Sequence, residues 1–186
     1  MALRGRSNLT DEQFFFVTTT VVNFINVFSK DIYCDLLIKN INHYKNRYQF
    51  NIIAYVIMPS HFHWILQVNP KFGTVSDIMR DIKKYSAWDI MEAIEQNDPN
   101  LSDIFAQEGT NYPKHKRKFW MKRFDDEVIR NEKMFWVKLL YIHNNPVEAG
   151  IVNKAEDYKY SSAKNYICGD HSILQIDTSL AGVQMK

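Results

Sequence analysis

The sequence predicts an α+β fold built from β-α-β-β-α-β followed by a further helix. Three observations carry this reading. Short β-branched and aromatic runs recur along the chain, two long segments with helical apolar spacing lie between them, and a third helical segment follows the last run.

Phe14–Val22 is an aromatic and β-branched run with three threonines, which reads as a strand. Lys30–Tyr48 reads as a helix. Tyr33, Leu36, Leu37, Asn40, Ile41 and Tyr44 recur at helical spacing, and Ser29 is placed to cap the first turn. Phe50–Met58 is long enough for a central strand, and Pro59-Ser60 breaks it. His61–Val68 returns as a hairpin partner, closed by Asn69-Pro70-Lys71-Phe72-Gly73. Thr74–Gln96 is the second helix, with Val75, Ile78, Met79, Ile82 and Tyr85 on one face. Asn97-Asp98-Pro99-Asn100 ends it, and residues from about 97 to 118 read as polar and irregular. Phe119–Ile129 is a fourth strand of poor alternation. Asn131–Asn144 is a third helix, stopped by Asn145-Pro146 and Gly150, and short elements and loops are expected after Ile151. This order is that of a ferredoxin-like split βαβ domain, an antiparallel sheet covered by helices on one face with a helix added at the end.

The chain of 186 residues fits one domain at about 100–200 residues each, with a core at about 14–150 and an extension over 151–186. It is 46% hydrophobic and 24% charged, which excludes a wholly disordered or fibrous chain. Cys34 and Cys168 form no Cys-x-x-Cys pair and read as two free thiols of a reducing compartment. The N-terminal stretch lacks the apolar region of a secretory signal, and no apolar run approaches the roughly 18 residues of a membrane span. A cytoplasmic protein with no membrane partner is expected.

The net charge is only +2, from 23 Lys and Arg against 21 Asp and Glu, which by itself argues against a nucleic-acid binder. The charge is unevenly spread, however. Tyr112–Phe124 holds Lys114, Lys116, Arg117, Lys118, Lys122 and Arg123 with no acid, interleaved with Tyr112, Phe119, Trp120 and Phe124. Cations track phosphates, and aromatic rings stack on unpaired bases at about 1–3 kcal/mol each. This segment, Trp120 included, is therefore the expected single-strand surface, with Lys83 and Lys84 of the second helix as further phosphate contacts and Arg4 and Arg6 at its margin. A solubilising basic loop is the bland alternative.

Two constellations carry chemistry. Side chains alternate along a strand, so His61 and His63 share a face and can ligate one metal ion, while Phe62 and Trp64 point the other way. Two partly buried, hydrogen-bonded histidines would read the same. On the third helix Met134, Lys138, Tyr141 and Asn145 form one stripe, and Phe135, Leu139 and Ile142 form the adjacent apolar one. A tyrosine at the rim of the core with a capping Asn145 is the plain alternative.

Both segments resemble one family. Tyr-Val-Ile-Met-Pro-Ser-His-Phe-His, ending at His63, is similar to the hydrophobic–Met-Pro-x-His-hydrophobic-His signature of single-tyrosine HUH transposases. Tyr-Ile-His-Asn-Asn-Pro-Val-Glu-Ala-Gly, beginning at Tyr141, resembles the Tyr-Ile-x-x-Asn-Pro-Val-x-Ala-Gly segment of the REP-associated tyrosine transposase branch. Asp157-Tyr-Lys-Tyr-Ser-Ser162 matches a third segment in the same order. Ser60, where the branch usually has Asn, and Lys159, where Pro is common, depart from the pattern.

The resemblance implies a ferredoxin-like enzyme that cuts and rejoins single-stranded DNA at hairpin-containing ends through a 5′-phosphotyrosine. It implies Tyr141 as nucleophile and His61, His63 and Asn145 as ligands of Mg²⁺ or Mn²⁺, an ion suited to such nitrogen and oxygen donors. From helix geometry alone, Lys138 reads either as a catalytic support, favouring the phenolate or the developing charge, or as a solvated surface lysine. The implied partner is single-stranded DNA with hairpin ends, bound by a monomer or homodimer that associates with the nucleoid when on DNA. A catalytically silent binding module of the same fold is the alternative. A metal-dependent hydrolase of small phosphoesters is a third reading, which needs the metal and not Tyr141.

Overall fold

The computed structural model describes residues 13–110 and 118–179. Its strands are β1 (Phe14–Thr20), β2 (Asn51–Met58), β3 (His61–Gln67) and β4 (Asp125–Val128). The helices are α1 (Asp31–Tyr48), α2 (Val75–Asn97), α3 (Pro99–Thr110), α4 (Glu132–Glu148) and α5 (Ala163–Cys168). The strands form one antiparallel sheet in the order β2-β3-β1-β4, the split βαβ arrangement expected from the element order. No helix among the described residues is long and apolar enough to cross a membrane.

Alternation along the strands builds two cores. On one face Phe62, Trp64 and Leu66 pack with Leu37 and Ile41 of α1 and Ile78 and Ile82 of α2. On the other, Val56, Ala54 and Ile65 pack with Leu139 and Ile142 of α4. The predicted apolar stripe of α4 is thus the one that is buried, and α4 lies across the face opposite α1 and α2. Residues after α4 close the edge beyond β2. Ser161 bridges Val56, while Ile57 N donates to Tyr160 O and Ser162 N to Tyr55 O, so this edge does not present an open ladder to another chain.

Several expectations are corrected. Ser29 does not cap α1: Lys30 holds the cap position without a side-chain bond, and Ser29 Oγ donates to Asn26 O. The capping box lies instead at α2, where Thr74 Oγ1 accepts from Asp77 N and Asp77 Oδ2 accepts from Thr74 N. The stretch read as irregular after 97 contains α3. Pro99 at its first position needs no intrahelical N–H partner, and Phe105 buries the helix against the core. The fourth strand shrinks from Phe119–Ile129 to Asp125–Val128, with an isolated bridge between Trp120 and Val21. Helix α4 runs through Pro146 to Glu148. The proline sits in the last turn, where its missing N–H forfeits a single bond, and Gly150 at φ 69° then turns the chain.

Candidate active site

The register of three strands assembles the site. Thr18 of β1 lies opposite His63 of β3, and Thr20 lies opposite His61, so all four side chains share the face that α4 crosses. The two imidazole centroids are 4.8 Å apart. Both Nδ1 atoms meet hydroxyls. Thr18 Oγ1 is 2.7 Å from Nδ1 of His63, and Ser60 Oγ is 3.1 Å from Nδ1 of His61. Tyr141 reaches the pair from α4, its hydroxyl 3.4 Å from Nε2 of His63. The tyrosine remains 41% exposed, whereas His63 is only 5% exposed.

Phe16 supports the arrangement from below. It stacks on the His63 ring at 5.7 Å and meets the Tyr141 ring edge-on at 5.9 Å. Nothing in its own residue type singles it out in the Phe-Phe-Phe-Val-Thr-Thr-Thr run. Its position two residues before Thr18 gives it the same face.

Burial disfavours the imidazolium form of both histidines. It lowers the pKa of His61 below the ordinary range. His63 is pushed down to about 3, by burial first, then by His61 and by the Lys138 ammonium. Both rings are therefore neutral near pH 7, the form in which imidazole can ligate a cation or accept a hydrogen bond.

The other expected residues fall into place unevenly. Asn145 lies one turn beyond Tyr141 on the same stripe and is half-buried. Lys138 is committed to Glu127 at 2.6 Å, with its ammonium 4.6 Å from the Phe16 ring centroid, so its charge at the site arrives already paired. His143, not singled out from the sequence, is buried under α4 with Nε2 2.9 Å from Ser162 Oγ, and burial pushes its pKa down to about 4.

The donors fit a hard or borderline divalent cation in part. Two neutral imidazoles on one face have their Nδ1 atoms occupied by hydroxyls. Among the described residues no cluster of three His, Cys, Asp or Glu side chains joins them. Further donors would come from an amide such as Asn145, from water or from substrate phosphate, the mixed set that Mn²⁺ or Mg²⁺ accepts.

A second feature lies on the helical side of the sheet. Ser76, Arg80, Lys83 and Lys84 of α2 face Lys118 and Lys122 across a groove of about 610 Å³. Phe124 lies in its wall, and among the described residues no acidic side chain lines it. Two sequence expectations change here. Lys83 is a strut, donating to the Met121 and Arg123 carbonyls at 2.8 and 3.2 Å and lying over Phe124. Trp120 is not a stacking platform. It is 6% exposed, donates Nε1–H to Ser86 Oγ, and packs on Phe28 and Phe119. Lys84, Lys122 and Arg123 remain at the surface, and Arg80 is bound to Asp77 and Asp81. Lys114, Lys116 and Arg117, with Arg4 and Arg6, lie outside the described residues. The groove wall joins the site's end of the sheet, since Met121 N donates to the carbonyl of Thr20, the residue opposite His61.

Comparison with known proteins places the chain in a family. Residues 17–145 match the family model described as "Transposase IS200 like", a span that includes both histidines, Tyr141 and Asn145. Over 115 residues the chain is 26% identical to a Haemophilus influenzae protein named as a REP-associated tyrosine transposase, covering 62% of this chain and 60% of that one. A solved REP-associated tyrosine transposase bound to a REP hairpin superposes with a TM-score of 0.67 at 23% identity, covering 96% of this chain and 93% of the other. That likeness extends the shared fold beyond the family match to almost the whole chain. The family match covers well over half of the sequence, and the chain belongs to the IS200-like transposase family.

Proposed function

We propose that this protein cleaves and rejoins single-stranded, hairpin-containing DNA through a covalent bond between Tyr141 and a 5′ phosphate. The observation that carries the reading is the 3.4 Å approach of the Tyr141 hydroxyl to His63 Nε2 within one chain. A nucleophile beside two neutral imidazoles that can seat a cation suits a phosphoryl transfer, and both come from one chain.

In the reaction, Tyr141 Oη forms a bond to the scissile phosphorus, the P–O3′ bond breaks, and the 3′ oxygen leaves to become a hydroxyl. The phenol gives up its proton as the bond forms. An ordinary phenol has a pKa of about 10, so the attack depends on electrostatic help. A divalent cation, Mg²⁺ or Mn²⁺, bound to His61, His63 and Asn145 would supply a Lewis acid for the phosphate oxygens. Phe16 fixes the planes of His63 and Tyr141. Lys138, paired with Glu127, adds a neutralised neighbour more than a free cation, so its part is secondary. The phosphotyrosine keeps the phosphodiester energy, and rejoining reverses the step without ATP.

Lys84, Lys118 and Lys122 at the groove, with Arg123 next to Lys122 in the chain, are the proposed backbone contacts, and Lys83 acts through the wall it braces. This places DNA contact in a local patch on a nearly neutral chain, and the protein would work in the cytoplasm on the nucleoid.

The test is incubation of the full chain with a single-stranded hairpin oligonucleotide and Mn²⁺ or Mg²⁺, followed by denaturing electrophoresis. A covalent adduct in wild type that is absent in Tyr141→Phe supports the reading. Salt-sensitive binding with no adduct favours a silent binding module, and phosphodiesterase activity that survives Tyr141→Phe favours a hydrolase.

A further inference from the structure

A neutral imidazole carries one ring proton, and the nitrogen that holds it decides which lone pair faces a neighbour. For His63 this choice is made by its surroundings on both sides. Nδ1 lies 2.7 Å from Thr18 Oγ1, the shortest polar approach to the ring, and Nε2 faces Tyr141 on α4. The Thr18 contact is built into the sheet, because Thr18 and His63 are directly opposed in the β1–β3 ladder.

Two proton arrangements satisfy the Thr18 contact. Either Nδ1–H donates to the hydroxyl, or the hydroxyl donates to Nδ1 and leaves a proton on Nε2. The α4 side separates them. A phenol hydroxyl is the stronger donor of the Tyr141–His63 pair and needs a lone pair to receive it.

We infer that Thr18 is a positioning residue whose hydroxyl accepts from Nδ1–H of His63, fixing the tautomer that turns the Nε2 lone pair toward Tyr141 and the cation seat. This rests on the proposed function for its purpose but not for its geometry. It acts through His63 and touches neither substrate nor the reacting atoms. A hydroxyl behind a metal-binding imidazole orients the ring, and loss of such partners costs about 10–100-fold in metal affinity.

The experiment uses the full-length protein without DNA. Long-range ¹H–¹⁵N correlation spectra at pH 7 read the His63 tautomer directly, and manganese titration followed by electron paramagnetic resonance reads affinity. Wild type and Thr18→Ser should show His63 protonated at Nδ1. Thr18→Val, nearly equal in shape, should lose that single tautomer and bind Mn²⁺ about 10–100-fold more weakly. A wild-type His63 protonated at Nε2, or a folded Thr18→Val with unchanged tautomer and affinity, overturns the inference. If Thr18→Val does not fold, the wild-type and Thr18→Ser spectra still decide. The expected tautomer without any DNA adduct would leave the inference standing and remove the function it serves, while an adduct with the opposite tautomer would do the reverse.

Discussion

The Tyr141 hydroxyl and Nε2 of His63 lie 3.4 Å apart, joined across the sheet face by a helix and a strand 78 residues apart in sequence. The imidazole nitrogen has one lone pair in its plane. A hydrogen bond from the phenol and a bond to a cation are alternatives at that atom.

Replacing Tyr141 by Phe therefore has two separable effects. Adduct formation is lost, because no oxygen remains to attack phosphorus. Binding of Mn²⁺, measured by calorimetry, is equal to or tighter than in wild type, because the competing phenol has gone. The side chain is 41% exposed, so thermal stability changes little. Markedly weaker Mn²⁺ binding would place the phenol among the ligands.

Removing metal separates cleavage from binding. Chelation with EDTA is expected to abolish the adduct and to leave hairpin affinity within a few-fold, since the basic groove lies on the opposite face of the sheet from the histidines. His63→Ala or His61→Ala reproduces the loss, and added Mn²⁺ does not restore it. Gel-shift and adduct assays on the same samples report both quantities.

The basic groove predicts unequal lysines. Lys84→Ala and Lys122→Ala weaken single-strand binding and each lower the slope of log affinity against log salt by about 0.7. Lys83→Ala loosens the 121–123 wall that it braces through two carbonyls and lowers stability as well. Trp120→Ala costs about 3–5 kcal/mol of stability by leaving a cavity among Phe28, Phe62 and Phe119. A Trp120→Ala protein that keeps its stability but loses base-dependent affinity would return that ring to the DNA surface.

Acid weakens the fold through His143. Its pKa is depressed to about 4 in the folded state, against about 6.5 when unfolded. The unfolded chain therefore binds the proton first, and the contribution is present above about pH 6.5 and lost as pH falls toward 4. At pH 5 linkage allows up to about 2 kcal/mol for such a group. His63 shifts in the same direction. Urea denaturation at pH 7 and pH 5 should show a stability loss that His143→Gln, which can still bond Ser162, reduces. An identical loss in that variant would assign the acid sensitivity elsewhere.

Features governed by local period were legible in the sequence. The His61-Phe62-His63-Trp64 alternation, the Tyr141–Asn145 stripe and the Leu139–Ile142 apolar face follow from counting along one strand or one helix. Features that depend on register across the chain were not. No residue in the Phe14–Thr20 run declares that Thr18 faces His63 or that Phe16 lies under it, because strand pairing over 45 residues decides both. Trp120 misled because an aromatic among lysines reads alike whether it stacks on a base or anchors its segment in the core. Pro146 misled because its cost is local, one lost N–H bond and crowding against the preceding turn, and the buried face of α4 outweighs it.

The most direct test of the account is peptide mapping by mass spectrometry of the covalent product formed on a single-stranded hairpin with Mn²⁺. The expected product is one modified peptide, carrying the 5′ phosphate of the cleaved strand on Tyr141, with a free 3′ hydroxyl on the other fragment. Cleavage that leaves no protein-linked nucleotide, or a link to any residue other than Tyr141, would contradict it.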